Sequence, residues 1–252
     1  MAIVGRQPRA GSSATNRYRT GLRSWLRSPA IRQARRVLWP VTIAAAMLGP
    51  RLPSLAAWSA GLAGGAALVM WLWLRESPPD YVDRWRRGAE GEVSTARELA
   101  RLGPEWRVRH DVRSKHGNFD HLVAGPGGVF VLDSKNFAGT AQVRGSKVLV
   151  TRGHLPNEHY KRELGRWVLG QGHEIHSRLT DELGRAPWVQ GVVVFTNDFP
   201  QGLVETSRVV YVHRDRLVAW LQERPRRLER HECAHIWGAI EQMPDAEAVD
   251  AA

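Results

Sequence analysis

Asp120, Asp133 and Lys135 are the residues whose types and spacing point most directly to chemistry. Asp120 opens the run Asp120-His121-Leu122-Val123-Ala124, and Asp133 and Lys135 close the run that starts at Val129. Between the runs stands Gly125-Pro126-Gly127-Gly128, a turn signal flanked by two arms rich in β-formers. With those four residues as the loop, Ala124 faces Val129, and counting back along both arms places Asp120 opposite Asp133. Directly opposed side chains have Cβ atoms about 4.5–5.5 Å apart. Residues two apart on a strand share a face, which brings Lys135 beside Asp133. Two carboxylates that close repel each other unless a positive charge lies between them. A divalent metal ion answers that need, with Lys135 as a fixed positive charge beside it. A one-residue slip in register would send one Asp to the other face. In the alternative reading the three are ordinary polar residues at strand ends.

The elements that must position these residues follow from the pattern around them. Residues 88–102 read as a helix, with Val93, Ala96, Leu99 and Leu102 at helical spacing and Gly103-Pro104 ending it. Glu92 falls near the buried edge of that helix. Residues 106–112 read as a strand, the hairpin 119–135 follows, and 140–143 with 147–151 suggest a second hairpin. Residues 158–183 are mainly helical in pattern, 188–196 hold the apolar run Val192-Val193-Val194-Phe195, and 208–213 form another strand. Residues 215–221 and 226–243 read as closing helices. This order predicts an α/β fold with a mixed central sheet.

The charge is distributed unevenly. The chain has 252 residues and a formal net charge of +11, yet residues 1–74 hold ten Arg, no Lys and no acidic residue. Residues 75–252 hold the other 26 basic and all 25 acidic residues, a net of +1. The basic balance therefore reports the flanks of an apolar region and says little about nucleic-acid affinity elsewhere. In that region 37–49 is apolar but short, and 55–74 is twenty residues without a charge, long enough to cross a bilayer. Arginines precede the first run and follow the second, so both flanks read as cytoplasmic, which a transmembrane helical hairpin satisfies. The organisation expected is a disordered basic segment at 1–30, a membrane anchor of two transmembrane helices at 31–75, a globular domain at 76–243 and a tail at 244–252. The single cysteine, Cys233, rules out an internal disulfide framework.

The ordered set Gly88-Ala89-Glu90-Gly91-Glu92, Asp120-His121-Leu122-Val123, Gly127-Gly128 with Val129 to Lys135, Asn136 and Gly139 resembles the nuclease-related domain (NERD) family. That family is placed among the PD-(D/E)xK nuclease-like folds. The resemblance covers about residues 85–222 and implies a restriction-endonuclease-like αβββαβ core. It also implies hydrolysis of nucleic-acid phosphodiesters, DNA or RNA, with Mg²⁺ or Mn²⁺ held by Asp120, Asp133 and Glu92. Lys135 would orient or deprotonate the attacking water and counter the developing charge, and the Ser134 carbonyl is a further metal ligand in such folds. The chain uses 32 Arg and four Lys, so a Lys at 135 departs from its default basic residue. One departure from the family pattern concerns a Gln early in the helix after the second hairpin. The nearest here is Gln171, and Lys161 or Arg162 is the candidate replacement contact to phosphate.

Other constellations compete. Arg107, Arg109, Arg113, Lys115 and His116 form a basic cluster that could track phosphates or simply solvate a loop. His231-Glu232-Cys233-Ala234-His235 matches the zinc-peptidase pattern, though no third His follows at the metzincin spacing. His121 reads as an outward-facing strand residue, and His110-Asp111, His173 and His176 as ordinary polar positions. A membrane-tethered nucleic-acid-binding module without turnover is the second functional class.

Overall fold

In the computed structural model, residues 10–145, 147–152, 158–161 and 164–246 are described. The chain divides into two compact units, residues 16–86 and residues 1–15 with 87–252.

The smaller unit is helical. Helix α1 (Ser12–Leu26) leads into α2 (Pro29–Leu48), a single 3-10 turn (Gly49–Arg51) and α3 (Ser54–Glu76). The Ser28 hydroxyl caps α2 by accepting from the Ile31 amide, and Pro29 sits where no amide is needed. A Cβ on Gly64 would lie 2.6 Å from the Ala45 Cβ, so this glycine lets α3 approach α2 closely. Gly49 likewise faces Ala60, which makes the pair antiparallel. The helical hairpin is therefore present, but the two expected spanning helices are not both found. Among the described residues only α3, at 23 residues, is long and apolar enough to cross a membrane. Arg32, Arg35 and Arg36 occupy the first half of α2. The apolar remainder, residues 37–48, rises about 18 Å against a hydrocarbon core of about 30 Å.

The larger unit is built on a six-stranded mixed sheet. Helix α4 (Asp80–Leu99) precedes a meander of β1 (Arg107–Ser114), β2 (Gly117–Gly125) and β3 (Gly128–Lys135). A small antiparallel sheet follows, made of β4 (Thr140–Arg144), β5 (Lys147–Thr151) and β6 (Glu158–Lys161). Helix α5 (Leu164–Leu183) then crosses over to β7 (Val189–Phe195), which pairs parallel to β3. Strand β9 (Val209–His213) pairs parallel to β7 and antiparallel to β8 (Leu203–Glu205), so the sheet order is β1-β2-β3-β7-β9-β8 with β1 and β8 at its edges, and α6 (Arg214–Gln222) and α7 (Arg230–Glu241) follow. Between α4 and β7 the chain order is therefore α4-β1-β2-β3-β4-β5-β6-α5-β7, with β4 to β6 set apart in the small sheet.

Alternation along the strands feeds three clusters of core residues, one of them around Val193, Phe195, Val209 and Tyr211 with Val168 of α5. Leu122, Val129 and Val131 pack with Ile175 and Leu179 of α5 and Ile236 and Ile240 of α7. Val123, Phe130, Leu132, Val192 and Val194 pack with Leu99 of α4 and Leu217, Trp220 and Leu221 of α6. Each core side chain hidden this way contributes about 1.5–3 kcal/mol, so the sheet that carries Asp120 and Asp133 is held by packing on both of its faces.

Three segments differ from expectation. Residues 158–161 form β6, because Thr151 to Val148 of β5 offer an edge that pairs with Glu158 to Lys161. Four residues are too few for periodicity to separate helix from strand. Within the segment expected to be disordered, residues 12–26 are helical, and the Asp111 carboxylate receives the start of that helix. In the segment expected to be a tail, the Pro244 carbonyl accepts from the Arg113 amide and Asp245 bridges to Val112. Residues 247–252 lie outside the described residues.

Candidate active site

The hairpin forms in the expected register. Ala124 pairs with Val129, and Gly125 with Gly128, so the turn is tighter than four residues. The regular ladder runs to His121 opposite Leu132 and ends there, one position short of Asp120 and Asp133. There a side chain replaces the ladder: Asp120 Oδ2 accepts a hydrogen bond from the Ser134 amide at 2.8 Å. Lys135 Nζ donates to Asp133 Oδ1 at 2.7 Å, so Asp133 and Lys135 act from one face. Asp133 is 3% exposed, and its other oxygen, Oδ2, is buried without a hydrogen-bond partner among the described residues.

Glu92 reaches this strand end from α4. The approach depends on Gly91, whose Cβ would stand 3.0 Å from the Asn136 Cβ and 3.2 Å from Thr196 Oγ1. Asn136 Nδ2 donates to the Arg87 carbonyl at 3.0 Å, fastening the same turn of helix to the end of β3. Glu92 is 9% exposed and its Oε2 is likewise buried and unpartnered.

Burial dominates the electrostatics. It pushes the Glu92 carboxyl up to about 9, with Asp120 and Asp111 adding repulsion. It pushes Asp120 to about 7, with Asp133 next in effect. Burial alone would lower Lys135, but Asp133 and Asp120 outweigh it and hold its pKa above the ordinary value. The ammonium is therefore kept charged, and the carboxylates are the groups in electrostatic deficit.

Behind this face lies a polar relay that the sequence reading missed. His121 is fully buried rather than outward-facing. Its Nε2 lies 3.1 Å from Ser134 Oγ and its Nδ1 2.7 Å from His110 Nδ1. Ser134 Oγ donates to Thr95 Oγ1 at 2.9 Å, so the network assigns Nε2–H to His121 and Nδ1–H to His110. Burial lowers the pKa of both imidazoles, that of His121 far below the ordinary value. The relay fixes the backbone of Ser134, the residue between Asp133 and Lys135. One signal was legible: His110-Asp111 and Asp120-His121 face each other in an antiparallel count.

Gln171 also enters here. Gln171 is the eighth residue of α5, two turns in from Leu164. Its Nε2 donates to the Asn118 carbonyl at 3.1 Å, and its Oε1 is buried without a partner among the described residues.

The remaining sequence candidates separate. Arg109 belongs to the core rather than to a phosphate track, because its guanidinium donates to the Ile240 and Met243 carbonyls and pairs with Asp245. Arg113 and Lys115 have exposed side chains beside β1. Lys161 lies in β6 with only its backbone described, and Arg162 lies outside the described residues. Glu232 accepts from the Glu229 amide in a capping box at the start of α7 and pairs with Arg185. That assignment uses the acid that a peptidase would need as its base, with His235 exposed nearby.

Among the described residues no three His, Cys, Asp or Glu side chains converge as a metal-ligand group. The donor set at Asp120 and Asp133 nonetheless suits a hard cation. It is all oxygen, and it includes buried carboxylate oxygens with no proton donor. Mg²⁺ is commonly held by one or two carboxylates while keeping several waters, without a full protein cage.

No curated protein and no solved structure gives a significant match to the chain. Residues 87–196, which run from the foot of α4 through β7, match the family model of the nuclease-related domain. This matched segment holds Glu92, Asp120, Asp133 and Lys135, so all four candidate residues lie in the part of the chain that is similar to the nuclease-related domain.

Proposed function

We propose that this protein is a membrane-anchored, divalent-cation-dependent nuclease that hydrolyses phosphodiester bonds of DNA or RNA on the cytoplasmic side. The observation that carries the reading is the Asp120 carboxylate on the Ser134 amide, next to Asp133, with Lys135 ion-paired to Asp133 and a buried oxygen of Asp133 left unpartnered among the described residues. Pure binding of nucleic acid requires no opposed carboxylates.

Asp120 and Asp133 would hold the Mg²⁺ or Mn²⁺ ion, with Glu92 and the Ser134 carbonyl completing or supporting the site. A bound divalent cation supplies acidification of a water and polarisation of the phosphoryl group. Lys135, kept protonated by its carboxylate neighbours, serves as a charge that stabilises negative charge developing on phosphorus-bound oxygens and orients the attacking water. It is too basic in this setting to act as the resting proton acceptor. The relay through His121, Ser134 and Thr95 keeps the backbone between Asp133 and Lys135 from shifting. Arg113 and Lys115 are candidate phosphate contacts along the incoming strand.

Anchoring rests on the smaller unit. Val37, Ile43, Met47, Leu55, Trp58, Leu62, Val69 and Trp73 are all exposed on α2 and α3, an apolar surface that a bilayer would cover. Ser12 and Ser13, which precede α2, bond Asp111, which follows α3. This contact supports a hairpin that enters and leaves the bilayer by one face. The arginines on both flanks support a cytoplasmic orientation of that face.

The test is cleavage of single- and double-stranded DNA and RNA by the full chain in detergent, with Mg²⁺ or Mn²⁺ and with EDTA. Cation-dependent cleavage lost in Asp133→Asn and Lys135→Ala is the expected outcome. Binding without cleavage would instead identify a non-catalytic module. Flotation with liposomes, abolished by Leu62→Arg with Val69→Arg, tests the anchor, since each such charge costs about 2.5–3.5 kcal/mol at a helix centre.

A further inference from the structure

Asp111 is fully buried and is the only non-glycine residue among those described with a positive φ, at 55°. It lies on the one rung of the β1–β2 ladder, opposite Asp120, at which no regular pairing occurs between His110–His121 and Val112–Phe119. Such backbone conformations persist only where surrounding contacts over-determine them. Here those contacts are four hydrogen bonds. Asp111 Oδ2 accepts from Ser12 Oγ at 2.6 Å and from the Ser13 amide at 2.7 Å. Asp111 Oδ1 accepts from Ser13 Oγ and from Asn118 Nδ2, both at 2.6 Å. Three of the four donors come from a segment 98 or 99 residues away in sequence.

The contact is a helix cap in trans. Ser12 and Ser13 open α1, and a carboxylate there meets free amides and the positive end of the helix dipole. Gly11, at φ 72°, brings the segment in: a Cβ on it would stand 3.3 Å from the Ala89 carbonyl and 3.5 Å from the Glu92 Cβ. The same segment thus touches the turn of α4 that carries Glu92 and the residue that faces Asp120. Asn118 completes the link, since its side chain holds Asp111 while its carbonyl receives Gln171 of α5.

We propose that Ser12, Ser13 and Asp111 form a clamp that positions Asp120 and Glu92, so that the catalytic unit includes a segment lying before the membrane helices. Asp111, Ser12 and Ser13 are positioning residues. They hold the kink at which β1 leaves the ladder, and that kink frees the Asp120 carboxylate to take the Ser134 amide in place of a backbone bond. Without the serines, Asp111 would keep one donor and would stand as an undercompensated charge against Asp120 and Glu92. The proposal rests on the nuclease reading for its consequence in turnover, but the clamp itself is open to a measurement that needs no activity.

The experiment uses the full chain in detergent, as wild type, Ser12→Ala/Ser13→Ala, Asp111→Asn and the conservative Ser12→Thr/Ser13→Thr. The first readout is hydrogen exchange at the Ser134 amide, which reports the Asp120 contact, with the Val193 amide as an internal control. The double Ala variant is expected to exchange at Ser134 about tenfold faster or more, as the loss of hydrogen bonds to a charged group predicts, with Val193 unchanged. The Thr pair is expected to restore protection. The second readout is cleavage, in which the double Ala variant and Asp111→Asn lose kcat by about tenfold or more while KM moves less than about threefold. Unchanged exchange at Ser134 in the double Ala variant overturns the proposal. So does a rise in cleavage, which would make the segment a plug. If wild type cleaves nothing, the nuclease reading fails, and the exchange comparison still decides the clamp.

Discussion

Lys135 Nζ stands 2.7 Å from Asp133 Oδ1, and both residues belong to the end of a strand whose other members are core. A lysine in this position is held charged by the carboxylate it accompanies, and its pKa rises despite burial. Lys135→Arg keeps the charge but replaces a compact ammonium by a planar fork that cannot occupy the same space. Cleavage is expected to fall by about a hundredfold or more in Lys135→Arg and in Lys135→Ala alike, with the thermal midpoint of the Arg variant close to wild type. Full activity in the Arg variant would show that charge alone suffices.

Cation binding is expected to appear as stability. Glu92, with an ordinary value of 4.5, is pushed to about 9 in the folded chain. A folded-state pKa above the unfolded one contributes stability at low pH that is lost as pH rises toward 9. At pH 8 the cation-free protein therefore carries an electrostatic penalty that Mg²⁺ or Mn²⁺ relieves. Saturation at a hundred times Kd adds about 2.7 kcal/mol. Thermal scans with and without cation should show the increase in wild type and its absence in Asp133→Asn, and equal midpoints in wild type would exclude a bound ion.

The histidine pair gives the opposite slope. His110 and His121 are both held below the ordinary value of 6.5 by burial. Below pH 6.5 the unfolded chain takes up protons that the folded chain refuses, so stability falls on acidification, by about 1.4 kcal/mol per pH unit for a fully refused proton. Midpoints measured from pH 7 to pH 5 should fall more steeply in wild type than in His121→Asn. Coincident slopes would mean that the pair accepts a proton without cost.

Arg109 offers a structural control. Its guanidinium is 6% exposed as a residue and holds the end of α7 and the chain beyond it through two carbonyls and Asp245. Arg109→Ala should destabilise the protein by about 3 kcal/mol, because it strands buried carbonyls and a carboxylate together. Denaturant unfolding measures this, and KM for nucleic acid should stay unchanged, whereas a phosphate contact would raise it.

The site was legible in the sequence to the extent that it is local. The turn Gly125 to Gly128 and the two β-rich arms set the register, and that register brings Asp120 to the end of the strand that carries Asp133 and Lys135. What escaped was decided by partners far along the chain. Residues 158–161 became a strand because the edge of β5 was open to them. His121 turned inward because Ser134 and His110 satisfied both of its nitrogens. Arg109, one basic residue among several by sequence, was singled out by the carbonyls at the end of α7.

The sequence by itself determined the hairpin and its two aspartates, the lysine on their face, the uncharged run of 55–74 and the order of the elements. These follow from turn chemistry and from periods of 2.0 and 3.6 residues, which need only near neighbours. The tertiary structure decided how Glu92 reaches the strand end, through the space that Gly91 leaves beside Asn136. It also decided that Ser12 and Ser13 hold Asp111. No period relates residues so far apart. Their contact exists because a buried carboxylate and a helix start each lack partners until the fold brings them together.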